Sequence, residues 1–310
     1  MSVIAEAPDT AAGAGRDSGP RPSRWRTGYR TAIRGLGVLR RRAGVVGAWF
    51  WLMLIALLAV LAPILPLADP AVPVGTPNLA PGARWPEFMG TDQLGRSVLS
   101  RLIDGARPSL MVALISVGLA LVVGGMLGLV AGYRRRHAER VITVFIDATL
   151  AFPPLMLLMA LAAVLTPSLW TLGIALAIVF APSFARLARA ATLRLASQEF
   201  VLAARSAGAS RLRVMIRELL PSVVVPLLSY AFVVMAMAVV AEGSLSFLGL
   251  GIPPPAPSWG GMVASGRDNL REAPLLVFIP AAVLLLTVLS LNAVGHHLQQ
   301  RTGNARGANL

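Results

Sequence analysis

Six stretches of the chain are each long and apolar enough to cross a lipid bilayer, and this limits the available folds more than any other feature. In hydrocarbon every backbone N–H and C=O must find its partner within the protein, so only helices and closed barrels span a membrane. A helical span needs about 20 apolar residues. The first stretch, VGAWFWLMLIALLAVLAPILPL, covers 46–67; the others cover 109–132, 141–165, 168–187, 221–241 and 274–294. The whole chain of 310 residues is 56% hydrophobic and 14% charged, whereas a soluble domain carries about 25% charge. The expectation is an all-α integral membrane protein with six transmembrane helices. The first stretch is too long for a signal-peptide core and follows a long polar tail, so it reads as an uncleaved anchor.

Residue types that are missing exclude several chemistries. There is no cysteine, hence no disulfide and no thiolate ligand or nucleophile. The three histidines, His137, His296 and His297, flank apolar segments without metal-site spacing. No metal site or catalytic residue is therefore assigned. All 28 basic residues are arginine. A P-loop needs its lysine to reach the nucleotide phosphates, so if ATP drives this chain, another chain must hydrolyse it. The net charge of +14 does not point to nucleic acid, because the arginines cluster at the ends of apolar spans.

Their distribution gives an orientation. The N-terminal tail carries nine arginines, the connection after the second span four, the connection after the fourth seven and the C-terminus two, against six on the other face. Positive charge marks the cytoplasmic side, which places both termini and the 199–221 connection inside. Residues 1–44 read as a basic cytoplasmic tail, largely disordered for want of apolar residues, with a basic helix from Trp25 to Arg42 suited to an anionic leaflet. Residues 45–295 form the membrane domain, and 296–310 a cytoplasmic tail.

The connection EFVLAARSAGASRLRVMIRELLPS, Glu199 to Ser222, is more elaborate than a turn requires. Helical spacing gathers Phe200, Ala203, Ala204 and Ala207 on one side of a first short helix. Gly208 suits the left-handed position that ends it, and Ser210 suits the N-cap of the next. In that second helix Leu212, Met215, Ile216 and Leu219 share an arc opposite Arg213 and Arg217, and Leu220-Pro221 opens the fifth span. Spacing alone leaves two readings open: a basic anchor that happens to be helical, or a docking element for a cytoplasmic partner.

This segment resembles the EAA loop of ATP-binding-cassette (ABC) importer permeases, whose pattern is E-A-A-x3-G-x9-I-x-L-P. Ala203, Ala204, Gly208, Leu220 and Pro221 fall on its positions, with Arg205, Ala209 and Ser210 inside the same loop. Leu202 and Glu218 depart from it, standing where the family often has Glu and Ile. MGTDQLGRSVLSRLIDGARPSL, IDATLAFPPLMLL, ARLARA and AEGSLSFLGLGIPPPAPSWGGMV are similar to the C-type permease subunits of dipeptide, oligopeptide and nickel importers. Gly295-His296-His297 replaces the usual Gly-Asp-Gly. The resemblance implies a type I ABC importer permease with cytoplasmic coupling helices, set in a bacterial inner membrane. It further implies a second permease, two P-loop ATPase subunits that bind ATP and Mg, and an extracytoplasmic substrate-binding protein. On the same resemblance the chain is not an enzyme and holds no cofactor of its own. Peptide is the expected cargo, with glutathione-type or nickel-chelate import as alternatives. An ion-driven secondary transporter is the alternative from another class, disfavoured by the scarcity of intramembrane carboxylates and histidines.

Residues outside the loop supply further candidates. Thr91 or Asp92 is suited to cap a helix in which Leu94, Val98 and Leu102 share a face and Asp92 pairs with Arg96; with Arg101 this reads either as a solvated surface helix or as an outer gate or docking element. Asp147, inside the third span, is either half of a structural ion pair or part of the pathway. Pro153-Pro154 and Pro182 are expected to kink their spans. Glu242 is expected to hydrogen-bond a non-helical outer segment that begins near Phe247 and places Trp259 at the membrane interface; Asp147, Pro153, Glu242 and Phe247 together are the candidate pathway or gate residues.

Overall fold

The computed structural model describes residues 24–82, 88–134 and 137–307, and the side chains of 43–82, 88–134 and 139–301. The helices are α1 (Arg24–Leu61), α2 (Val98–Tyr133), α3 (His137–Ala151), α4 (Pro154–Val164), α5 (Leu169–Leu195), α6 (Glu199–Ser206), α7 (Arg211–Arg213), α8 (Leu220–Phe247), α9 (Trp259–Gly266) and α10 (Leu275–Gly307). The chain divides after Ala43; of the 1–44 tail expected to be largely disordered, 1–23 lie outside the described residues and 24–44 belong to α1. Among the described residues five helices are long and apolar enough to cross a membrane: Ala43–Leu61, Val98–Tyr133, Leu169–Leu195, Arg211–Phe247 and Leu275–Arg301. Glu139–Ala151 and Pro154–Val164, bent by 90° at the break between them, bring the number to six when counted as one broken span.

The centre of the fold is the packing of α2 on α5. Gly124, Gly128 and Gly132 recur every fourth residue on α2, and a Cβ at the first two would overlap the carbonyl oxygens of Ala181 and Ala185. At Gly132 a Cβ would come 2.7 Å from that of Thr192. A small-residue stripe of this kind lets helix backbones approach where lipid offers no hydrophobic drive. Around this seam Phe184, Leu219, Val223, Leu227 and Val234 complete a buried core shared by α2, α5 and α8.

The third span bends by 90° at Phe152–Pro153, where the consecutive prolines expected to kink it withhold two backbone donors. One element departs from expectation, the helix that leads into the second span. The helix expected at Asp92 begins only at Val98, with Ser97 as its N-cap accepting from the Ser100 N–H at 3.4 Å; it then continues through Pro108 into the membrane. Leu94 lies in the preceding turn and is exposed. Helix α10 extends to Gly307, and α5 continues through Pro182 as one helix.

Candidate functional site

The 199–221 connection is built from backbone caps. Helix α6 ends at Gly208 with φ +82°, where Ala209 N–H donates to the Ala204 carbonyl at 3.1 Å and Gly208 N–H to that of Arg205 at 3.0 Å. These two bonds form a Schellman motif, which requires the left-handed residue. Ser210 then caps α7, its hydroxyl accepting from Arg213 N–H at 3.3 Å. Arg205 lies over the Tyr133 ring at 5.0 Å, tying the loop to the end of α2. Sequence reasoning missed this contact, since nothing local links positions 72 residues apart.

No break separates this loop from the fifth span. Residues Val214–Leu219 form a π-helical segment joining α7 to α8, with Leu220 N–H bonded to the Met215 carbonyl. Bonds from i to i+5 widen the turn and change which residues face inward. The expected stripe of Leu212, Met215, Ile216 and Leu219 is therefore corrected: Val214, Met215 and Leu219 are buried, while Leu212 is 65% and Ile216 52% exposed. With Phe200 and Leu202 they leave four large apolar side chains uncovered on the loop. Ala203 is exposed and Ala204 half-buried; Leu220 is half-buried and Pro221 exposed in the first turn of α8.

At the opposite end of α2, Asp92 organises a tight turn. Its Oδ1 accepts from the N–H groups of Leu94 and Arg96, both at 2.9 Å, and its Oδ2 from Arg96 Nε at 2.8 Å. Arg101 Nε lies 3.5 Å from the same Oδ2, and Arg101 Nη1 donates to the Pro70 carbonyl at 2.9 Å. The expected Asp92–Arg96 pair is thus present in a turn, and both arginines are buried. Glu242 is fully buried and accepts from Ser109 Oγ at 3.3 Å and Ser246 Oγ at 2.8 Å. Ser246 Oγ also lies 3.5 Å from Ser258 Oγ. Ser109 Oγ in turn accepts from Trp259 N–H at 3.2 Å, and Trp259 Nε1–H donates to the Leu102 carbonyl at 3.0 Å. Trp259 is therefore a buried anchor and not an interfacial residue, because α2 supplies a carbonyl to its indole N–H. The serines that hold Glu242 come from α2, α8 and the N-cap of α9, a convergence invisible to periodicity.

Two candidates stand apart from both clusters. Phe247 lies beneath Arg267, 5.4 Å from its ring, and borders an open apolar groove of about 440 Å³ between α8, α9 and α10. Asp147 on α3 pairs with Arg186 on α5 at 2.8 Å, both more than half exposed, and Pro153 stands at the break that follows α3. Arg186 was not a candidate from sequence.

Against known proteins, the family model described as binding-protein-dependent transport system inner membrane component matches residues 124–304. The Di/tripeptide transport system permease protein DppC of Pseudomonas aeruginosa (strain UCBPP-PA14) is 39% identical, over 83% of this chain and 86% of that protein. The Glutathione transport system permease protein GsiD of Pectobacterium atrosepticum is 35% identical over 84% and 86%. Among solved structures, an inward-facing MetNI methionine ABC transporter superposes with a TM-score of 0.54 at 18% identity, covering 65% of this chain and 96% of that one; this likeness shows the fold alone. The chain belongs to the binding-protein-dependent transport system inner membrane components, the multi-pass permease chains of ABC importers.

Proposed function

We propose that this chain forms half of the translocation pathway of a peptide importer and is driven by separate ATPase subunits that dock on the 199–221 loop. The observation that carries the reading is that loop. Its backbone is fixed by a Schellman motif and a serine cap, yet Phe200, Leu202, Leu212 and Ile216 are left uncovered beside Arg211, Arg213 and Arg217. A rigid apolar surface ringed by arginines suits a cleft in another protein. The names of relatives support peptide cargo, dipeptides and tripeptides in one case and glutathione, itself a peptide, in another.

The geometry gives the mechanism a lever. From Arg211 to Phe247 the chain is one uninterrupted helical span of 37 residues, about 55 Å at 1.5 Å per residue. Displacement of the loop by an ATPase is carried along α8 to Glu242, whose bond to Ser109 links it to α2 and, through the Trp259 N–H that Ser109 accepts, to α9. ATP-driven closure of two ATPases would draw this loop toward that of a second permease and rock the spans between inward and outward openings. The arginine count puts both termini and the loop in the cytoplasm. The Asp92–Arg96–Arg101 turn then faces outward, where a substrate-binding protein delivers cargo. Nucleotide and Mg belong to the ATPase partners in this account.

Purification of the tagged chain from its native membranes in mild detergent tests the reading. A second permease and P-loop ATPases are expected to co-purify with the wild-type chain, and the ATPases to be lost from Gly208→Val. Isolation of the chain alone, or full retention of the ATPases by the variant, would contradict it.

A further inference from the structure

Two independent features of one segment are incompatible with a lipid face. The first is the Asp147–Arg186 ion pair. Both side chains are more than half exposed, at 57% and 58%, although Val141, Val144, Phe145 and Phe152 on the same helix and its break are exposed apolar residues of a membrane-spanning segment. Ionised side chains at membrane depth face protein or water-filled cavities, because hydrocarbon cannot solvate them.

The second feature is the backbone itself. After Ala151 the helix stops, and α4 leaves at 90°. In a continuous helix the carbonyls of Thr149 and Leu150 would accept from residues 153 and 154. Both of those are proline and have no N–H. Phe152, Pro153 and Pro154 are exposed at this point. Irregular backbone at membrane depth persists only where protein or water covers it.

Asp147 and Ala151 lie within about 40° of each other around α3, so the charge and the last residue of the helix share a face, whereas Phe145 lies about 160° from Asp147. The patch also has a definite polarity. Asp147 and the C-terminal end of α3, which carries partial negative charge, make one side of it; Arg186 makes the other.

We propose that this patch lines the water-filled passage and is a station for a zwitterionic peptide. Asp147 and the C-terminal end of α3 receive the cargo's terminal ammonium, and Arg186 its terminal carboxylate, as the two side chains part from each other. The identity of the cargo rests on the peptide reading above; the wet face does not. In the resting state the ion pair satisfies both charges, so the station is closed until a ligand carrying one charge of each sign replaces the partners.

The absence of cysteine makes the test direct. Single variants Asp147→Cys, Ala151→Cys and Phe145→Cys would be made in the assembled transporter and treated with a charged, water-soluble thiosulfonate in permeabilised native membranes. Ala151→Cys leaves the ion pair intact and reports on the same face if Asp147→Cys assembles poorly. The first two are expected to react about tenfold faster than Phe145→Cys, and saturating trialanine with the binding protein to slow them about tenfold. Equal, slow reaction at Ala151→Cys and Phe145→Cys would overturn the wet face whether or not the transporter imports trialanine. Fast reaction unaffected by trialanine, in a transporter that imports it, would overturn the station. A wild-type transporter that imports no peptide, with Ala151→Cys still fast, would overturn the peptide reading and with it the station, while the wet face stands.

Discussion

The two ends of the α2–α8 pair are built on opposite plans. At the α9 end, polar and aromatic groups are buried and satisfied by one another: Trp259 bonds to Leu102 and Ser109, Glu242 to Ser109 and Ser246, and Arg101 to Pro70. At the α6 end the backbone is equally well capped, but large apolar side chains stand uncovered. The first end is completed within this chain. The second has a fixed shape without a finished surface, which is what a docking element requires. Substitutions should therefore affect stability at one end and assembly at the other.

Trp259→Ala provides the strongest test of that contrast. Removing a fully buried indole that fastens α9 to α2 is expected to cost about 3–5 kcal/mol, read as a lower unfolding midpoint of the purified chain in detergent. Next is Glu242→Ala, which leaves the hydroxyls of Ser109 and Ser246 without their acceptor and should cost about 1–3 kcal/mol. Glu242→Gln, which keeps a carbonyl acceptor, should recover much of that loss, and an equal loss for both would mean that the hydroxyl network is not what holds this end. At the other end Gly208→Val forces a β-branched residue to φ +82° and should cost about 1–2 kcal/mol. Arg205→Ala removes a cation–π contact with Tyr133 worth about 0.5–1 kcal/mol. The combined change of Leu212 and Ile216 to Ser should move the midpoint least, by about 0.5 kcal/mol or less per site, while sharply reducing co-purification of the ATPases. If it destabilised the chain as much as Trp259→Ala does, the two ends would not differ in kind.

The loop end was the more legible in sequence, because its shape is set by local chemistry. A left-handed glycine and a serine cap announce themselves within a few residues, and Gly208 and Ser210 stand at those positions in the structure. The facing of Leu212 and Ile216 was misread because a π-helical stretch replaces the 3.6-residue period that spacing arguments assume. At the α9 end the principal residues were visible but their roles were not. Asp92 has the composition of a helix cap and instead folds a turn, since Arg101 and the backbone of residues 94 and 96 converge on it. Trp259 has the preference of an interfacial residue, yet a carbonyl 157 positions earlier takes its N–H. The consecutive prolines marked a distortion in the third span, but its 90° angle and the reach of Asp147 to Arg186 depend on where α5 lies.

In the mechanism proposed above, the capped loop transmits ATP-driven motion into the membrane helices. The most direct measurement is ATP hydrolysis by the complete transporter in proteoliposomes, with and without trialanine-loaded binding protein, comparing the wild-type chain with Leu212→Ser/Ile216→Ser at matched ATPase content. The account predicts that loaded binding protein accelerates hydrolysis in the wild type and has little or no effect in the variant. Equal stimulation of both would show that force passes through other contacts and would contradict it.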